Sequence, residues 1–137
     1  DDGLLLIELP DPESRYGRIL GRWWIPWFQP QHQHLIPIDR LCEHLAERGF
    51  EVVARDRAAA HQTVDFVIAA WLWLNHFVPA DAPWAPKGSP LRGVARVAVI
   101  AAGAPLLLAA FLADQVASVV IRRVDRGNTY RVLARRR

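Results

Sequence analysis

The stretch IDRLCEHLAERGFEVV, residues 38–53, decides the fold class. Its apolar residues recur every three to four positions as far as Leu45, which is the pattern of a helix with one apolar face. Gly49 is placed to end this helix, because glycine tolerates the left-handed conformation found just past a last helical turn. The segment FEVVARD, residues 50–56, then alternates as a strand does. The stretch therefore predicts a helix, a turn and a strand, and so an α/β protein.

Two more strands and one more helix are predicted on either side of this unit. The run GLLLIELP, residues 3–10, is continuously apolar, which is typical of a fully buried strand in a parallel sheet. The last segment, NTYRVLARRR at 128–137, follows a turn and alternates, which predicts a final strand. Between them, Asp11 and Pro12 favour a helix over 11–28 that has Pro12 at its first position.

Residues 62–123 form an apolar insert before the last strand. Two apolar runs, both predicted to be helices, are joined by the proline-rich link PADAPWAPKGSP. The second run has 17 residues without a charge between Arg96 and Asp114, which only just reaches the length of a transmembrane helix. Two interpretations stay open: a pair of buried or capping helices, or a hairpin that touches a membrane. His76 and Asp114 are polar groups in apolar helices and are expected to meet each other.

Composition limits the classes of function. The chain has 137 residues, of which 52% are hydrophobic, so it can form the core of one domain and is not disordered. Its formal net charge of +3 comes largely from arginines near the end, without the motifs of a nucleic-acid-binding module, so no nucleic-acid partner is expected. Cys42 is the only cysteine, which fits a reducing compartment such as the cytoplasm.

Three motifs in this order resemble the C-terminal half of class I S-adenosylmethionine-dependent methyltransferases, of the small-molecule type related to ubiquinone-biosynthesis enzymes. They are DDGLLLIELPDPES (1–14), HQHLIPIDRLCEHLAERGFEVV (32–53) and YRVLARR (130–136). The resemblance makes them the family's fifth strand, its last helix with the sixth strand, and its antiparallel seventh strand. It implies that 1–137 is a partial Rossmann-like methyltransferase domain, with the insert placed before the last strand.

The resemblance also implies an activity, which is methyl transfer from S-adenosylmethionine to a small, lipid-like acceptor. The family's glycine-rich cofactor loop has no counterpart here, so the strands that carry it would precede Asp1. We therefore expect this chain to supply the acceptor side of a longer parent enzyme, to hold no cofactor-binding residue and to be inactive alone. The alternative is a non-catalytic accessory protein that the 62–123 hairpin anchors to a membrane. A homodimer through an exposed sheet edge is a further expectation.

The loop before the 38–50 helix holds the candidate catalytic residues. His34 matches a histidine that the family often has just before its last helix, and His32 is the second histidine of this loop. Either imidazole could contact the acceptor or act as a general base, because histidine titrates near neutral pH. The competing interpretation is a pair of loop histidines that bond to the backbone. No third ligand has a suitable spacing, so no metal site is expected.

The candidate substrate-binding residues lie in and after the first strand. Glu8 is near the carboxyl end of that strand, where ligands bind in open α/β sheets, although a strand-end charge facing water is the competing interpretation. Four aromatic residues follow, and they could form an apolar lid over a substrate or pack against the insert. These residues are Tyr16, Trp23, Trp24 and Trp27.

Overall fold

The computed structural model describes residues 3–27, 34–57, 63–79, 88–124 and 127–137. Within them, three strands form one sheet in the order β1 (Leu4–Pro10), β3 (Thr129–Arg136), β2 (Phe50–Asp56). The helices are α1 (Arg15–Leu20), α2 (Ile38–Glu47), α3 (Asp65–Phe77) and α4 (Pro90–Val124). Two single turns of 3-10 helix, Gly21–Trp23 and Ile25–Trp27, follow α1. The protein is therefore mixed α/β, as predicted.

Strand β3 lies in the middle of the sheet and is antiparallel to both of its neighbours. Because β3 runs against β1 and β2, those two strands run in the same direction and their carboxyl ends share one edge of the sheet. The prediction of a fully buried β1 in a parallel sheet is wrong in this structure. β1 pairs antiparallel with β3, and Leu4 and Leu6 are each 63% exposed, since they project from the sheet face opposite α2.

The main core lies between α2 and the other face of the sheet. Ile38, Leu41 and Leu45 of α2 are buried, as the helical pattern predicted. They meet the buried side chains of β3, which alternate along that strand as predicted. These are Tyr130, Val132 and Ala134. Each large aliphatic side chain buried in this way stabilises the fold by roughly 1.5–3 kcal/mol.

The chain between β1 and α2 differs from the predicted long helix. Asp11 accepts a hydrogen bond from the amide of Glu13, which holds this segment in a turn rather than a helix. Ser14 is the N-cap, because its Oγ accepts from the amide of Gly17 at 3.1 Å. Gly21 then adopts a φ of 52° and ends α1 after 6 residues. The helix predicted over 11–28 is therefore a short helix followed by two tight turns.

The insert forms an antiparallel pair of helices. Asp114 of α4 contacts the start of α3, and the guanidinium of Arg96 donates to the carbonyl of Val78 just beyond the end of α3. Midway along the pair, Gly103 leaves room for the side chain of Leu74. A Cβ atom at position 103 would overlap Cδ1 of Leu74. The two predicted helices of the insert are thus confirmed.

Most of the apolar surface of α4 is exposed. Only 6% of its most apolar 18-residue stretch is buried, and Pro90–Val119 is long and apolar enough to cross a membrane. α4 is therefore not a buried helix in this structure, and the choice between a capping helix and a membrane hairpin stays a prediction. Several of its apolar side chains are more than half exposed: Leu91, Val94, Val97, Leu108, Leu112 and Val116.

Candidate functional site

A polar cleft lies at the edge of the sheet where β1 and β2 end. Asp11 directly follows β1 and is buried, and its amide donates to the carbonyl of Asn128 at 2.9 Å. Arg57 directly follows β2. Its guanidinium forms ion pairs with the carboxylates of Asp11, at 3.5 Å, and Glu13, at 2.6 Å. The cleft has a volume of about 340 Å³ and is lined by Asp11, Glu13, Ser14, Arg15, Arg18, Arg57 and Gly127. In open parallel α/β sheets ligands bind at the carboxyl ends of the strands, and a ligand role for this cleft stays a prediction.

Two buried carboxylates join the base of the insert to the rest of the protein. Asp65 accepts hydrogen bonds from the indole Nε1 of Trp24 at 2.8 Å and from the side-chain Nδ2 of Asn128 at 2.6 Å. Asp114 accepts from the backbone amides of Phe66 and Val67 at 3.1 and 2.9 Å. These contacts join the 3-10 turns after α1, the segment before β3, and helices α3 and α4, and we call them the carboxylate junction.

The environment of this junction sets its electrostatics. Burial raises the pKa of Asp65, the hydrogen bonds from Trp24 and Asn128 partly offset this, and the nearby charge of Asp114 adds to the increase. The expected contact between Asp114 and His76 is wrong. Asp114 instead lies at the N-terminus of α3, where free amides and the positive end of the helix dipole favour a carboxylate. His76 lies in the last turn of the same helix.

A second, apolar region lies where the first 3-10 turn meets the insert helices. The ring of Trp23 lies edge-on to that of His76, with 5.7 Å between centroids, and the guanidinium of Arg22 lies 4.5 Å from the Trp23 centroid. Trp23 lines two adjoining clefts with volumes of about 340 and 440 Å³. This size falls within the range of small-molecule pockets. We call the two together the Trp23 cleft.

The predicted aromatic residues do pack against the insert. Trp24 is fully buried and donates to Asp65, while Tyr16 lies against Phe66 with 5.5 Å between ring centroids. Trp27 is 42% exposed and contacts Trp24 edge-on at 5.5 Å. Burial, reinforced by the charges of Asp65 and Asp114, raises the pKa of Tyr16. Of the four, Trp23 is the one that lines the Trp23 cleft. Substrate-binding roles for all four stay predictions.

The other predicted site residues that the structure describes, Glu8 and His34, lie on different segments. Glu8 accepts from Nε of Arg131 at 2.6 Å, as expected for residues that face each other across β1 and β3. His34 is exposed in the segment before α2, and His32 lies outside the described residues. Two residues beyond His34, the carbonyl of Ile36 accepts from the hydroxyl of Tyr130 at 2.7 Å. Catalytic roles for the two histidines and a substrate role for Glu8 stay predictions.

No family model, characterised protein or solved structure matches the chain. The methyltransferase resemblance therefore rests on its three motifs and stays a prediction.

The expectation that this chain holds no residue that binds S-adenosylmethionine stays a prediction. Such binding in a Rossmann-like sheet needs a tight glycine turn at the carboxyl end of a strand, where the backbone approaches the ligand closely. The glycines with positive φ are Gly21, which follows α1, and Gly49, which precedes β2. Neither lies at that edge. Among the described residues, moreover, no group of three His, Cys, Asp or Glu side chains could hold a metal ion.

Several residues of the polar cleft and the Trp23 cleft were not predicted from the sequence. Asp11 and Arg57 follow β1 and β2 directly, so the rule that ligands bind at the carboxyl ends of strands could have found them. That rule was applied only to Glu8, two residues before the end of β1. Arg22 and Asn75 carried no such signal, because their meeting at the Trp23 cleft depends on how the first 3-10 turn lies along α3.

Proposed function

We propose that this protein associates with a membrane through the α3–α4 hairpin and serves there as the acceptor side of a methyl transfer to a lipid-like small molecule. In this proposal the methyl donor, S-adenosylmethionine, is held by another part of the parent enzyme. The proposal assigns the polar cleft to the cytoplasmic surface of the bilayer, where it would meet the acceptor.

The observation that carries the membrane part is the exposed apolar surface of α4. A helix of this length in the core of a soluble protein is mostly buried, whereas only 6% of the most apolar stretch of α4 is buried. Exposed apolar patches on this scale mark contacts with a membrane or a partner, because leaving them in water is unfavourable. Trp71 and Trp73 of α3 are also more than 40% exposed, and tryptophan is enriched at membrane interfaces.

The arrangement of the strands supports the methyl-transfer part. The resemblance implies an antiparallel last strand next to two strands that run in the same direction, and β3 lies antiparallel between β1 and β2. The polar cleft then occupies the carboxyl edge of β1 and β2, the expected ligand edge of such a sheet. Arg57 gives this cleft a fixed cation that could orient a polar acceptor group.

A non-catalytic membrane accessory protein is the second candidate. The observation that favours it is the exposed apolar face of the sheet opposite α2, where Leu4 and Leu6 are each 63% exposed. On this candidate the hairpin has the same anchoring role, and the sheet is a docking surface for another protein. The two candidates make the same prediction for membrane extraction and different predictions for methyl transfer.

Membrane association is tested by extraction. Membranes from cells that produce the protein are washed with concentrated salt and then with alkaline carbonate. An apolar hairpin keeps the protein in the membrane pellet through both washes, since neither weakens burial of apolar surface in lipid. Release of the protein by salt alone would contradict the proposal.

Methyl transfer is tested on membranes that contain the complete gene product. They are incubated with methyl-labelled S-adenosylmethionine, and label is counted in the lipid extract. Arg57→Gln should lower incorporation about tenfold or more, the loss expected for one charge-assisted hydrogen bond. Arg55→Gln is the matched control, because Arg55 is exposed and pairs with Asp39 on α2. Incorporation no higher than in membranes lacking the protein would favour the accessory candidate.

A further inference from the structure

The Trp23 cleft combines an apolar groove with a polar mouth. The larger part lies between α1, the first 3-10 turn and the two insert helices, and small alanine side chains from α3 and α4 leave it open. The smaller part adjoins it at Trp23 and ends at the polar side chains Arg22, Asn75 and His76. No carboxylate lines either part among the residues that the structure describes.

We propose that this cleft binds a single-chain lipid with an anionic head group, the chain in the groove and the head at Arg22. The inference deepens the proposed function by naming a lipid class, and it rests on that function for the membrane that supplies the lipid. The site is separate from the polar cleft at the edge of the sheet, with which it shares no lining residue.

The groove fits one hydrocarbon chain. Its floor is formed by alanines on facing stripes of α3 and α4, and larger apolar side chains form its walls. Its residues include Ala69, Ala70, Ala109, Ala110, Phe66 and Trp73. An apolar chain placed here covers surface of Trp73 and Leu106 that is now more than 40% exposed. Covering such surface favours binding in proportion to the area removed from water.

The mouth fits an anionic head. The Arg22 guanidinium lies over the Trp23 ring, which restrains its orientation while leaving its donors free to form charge-assisted hydrogen bonds. Asn75 uses its Nδ2 to donate to the carbonyl of Trp71 at 2.6 Å. Its Oδ1 is buried and has no hydrogen-bond partner within the described part of the chain. A buried acceptor of this kind is costly, and a hydroxyl on the lipid head would satisfy it.

Charge complementarity decides between a lipid and an apolar peptide segment as the occupant. An apolar helix docked in the groove would gain nothing from the cation at the mouth. A lipid carboxylate or phosphate uses both the groove and the mouth. We therefore commit to the lipid, with a carboxylate or a phosphate as the shared head-group chemistry.

The test compares a charged probe with a neutral one on the full chain in nonionic detergent. Dibromostearate, an anion at pH 8, and its methyl ester are titrated separately, and binding is followed by bromine quenching of tryptophan fluorescence. Arg22→Gln should weaken binding of the anion about tenfold and leave binding of the ester within about twofold. Ala109→Phe, which fills the exposed groove, should weaken both. Arg48→Gln removes the same charge from the end of α2 and should change neither.

Equal effects of Arg22→Gln and Arg48→Gln on the anion would overturn the proposal, because they would show general attraction to positive charge. Equal loss of anion and ester on Arg22→Gln would also overturn it, since the head would then not be recognised. Replacing dibromostearate with a brominated lysophosphatidate separates a phosphate site from a carboxylate site. Membrane extraction of the wild-type protein distinguishes the two proposals: retention in the membrane without binding of the anion removes only this inference, and release by salt with intact anion binding removes only the membrane proposal.

Discussion

At the scale of single residues, the carboxylate junction holds the insert in place. Asp114 interrupts an otherwise apolar helix, yet it is fully buried because the amides at the start of α3 replace the water it has lost. Asp65, the first residue of α3, accepts hydrogen bonds from Trp24, which follows α1, and from Asn128, which precedes β3. Asp114 therefore connects α4 to α3, and Asp65 connects α3 to the segments after α1 and before β3.

Replacing Asp114 tests the capping role of its carboxylate. Asp114→Asn keeps the size but turns one oxygen into a donor, which faces an amide and leaves it unsatisfied. The free energy of unfolding should fall by about 2 kcal/mol. Chemical unfolding in nonionic detergent, followed by tryptophan fluorescence, measures it. Asp39→Asn is the control, since Asp39 is 71% exposed at its side chain and should cost less than about 0.5 kcal/mol. Equal costs would remove the capping role.

The raised pKa of Asp65 predicts that the stability of the protein depends on pH. Its pKa is raised by burial above the ordinary value of 3.8, so the folded protein holds this proton more tightly than the unfolded chain does. The stabilisation is complete below pH 3.8 and is lost as pH rises through the raised pKa. The free energy of unfolding of the wild type, minus that of Asp65→Asn, should therefore fall between pH 4 and pH 7. A difference that grows over this range would mean that the hydrogen bonds outweigh burial.

At the scale of elements, the hairpin depends on one close approach between α3 and α4. Gly103 faces Leu74, whereas Gly93, in the same helix, has no atom within 4 Å of where its Cβ would lie. The same change should therefore have opposite effects at the two positions. Gly93→Ala should leave stability unchanged or raise it by about 0.5–1 kcal/mol through helix propensity alone.

Gly103→Ala should lower the free energy of unfolding by about 1–2 kcal/mol relative to Gly93→Ala, because the new methyl group overlaps the Leu74 side chain. Thermal unfolding followed by circular dichroism gives both values. If Gly103→Ala were as stable as Gly93→Ala, the two helices would not be in the described contact.

The elements were predictable from the sequence where periodicity was strong. The helix α2, the strand β2 and the alternating β3 follow directly from patterns of apolar residues, because burial on one face sets those patterns. The end of α1 was not predictable in this way. The helix α1 begins after Ser14 rather than at Pro12, because the Ser14 side chain caps it through one hydrogen bond. It ends at Gly21, which adopts a positive φ.

At the scale of the whole molecule, the candidate site depends on contacts between distant segments. Trp23 and His76 are 53 positions apart in the sequence, and Asp65 meets both Trp24 and Asn128. No local pattern encodes these meetings, so aromatic residues could be chosen as candidates but not assigned to a cleft or a core. Burial of α4 was likewise undecided by composition alone, because the same apolar run suits a core helix and a membrane helix.

In the proposed membrane-bound state, the apolar face of α4 contacts lipid and the sheet lies outside the bilayer. A lysine at Leu108, which is 60% exposed on α4, should therefore oppose membrane binding, since a charge is costly in the apolar part of a bilayer. A lysine at Val53, which is 51% exposed on β2, should not. The two variants add the same charge to exposed apolar positions on different parts of the protein.

Liposome flotation of the wild type, Leu108→Lys and Val53→Lys in concentrated salt is the most direct test of the central claim. The account predicts that the wild type and Val53→Lys rise with the liposomes and that Leu108→Lys stays largely in the dense fraction while keeping its helical circular dichroism. A wild-type protein that stays in the dense fraction as a soluble monomer or dimer would contradict it.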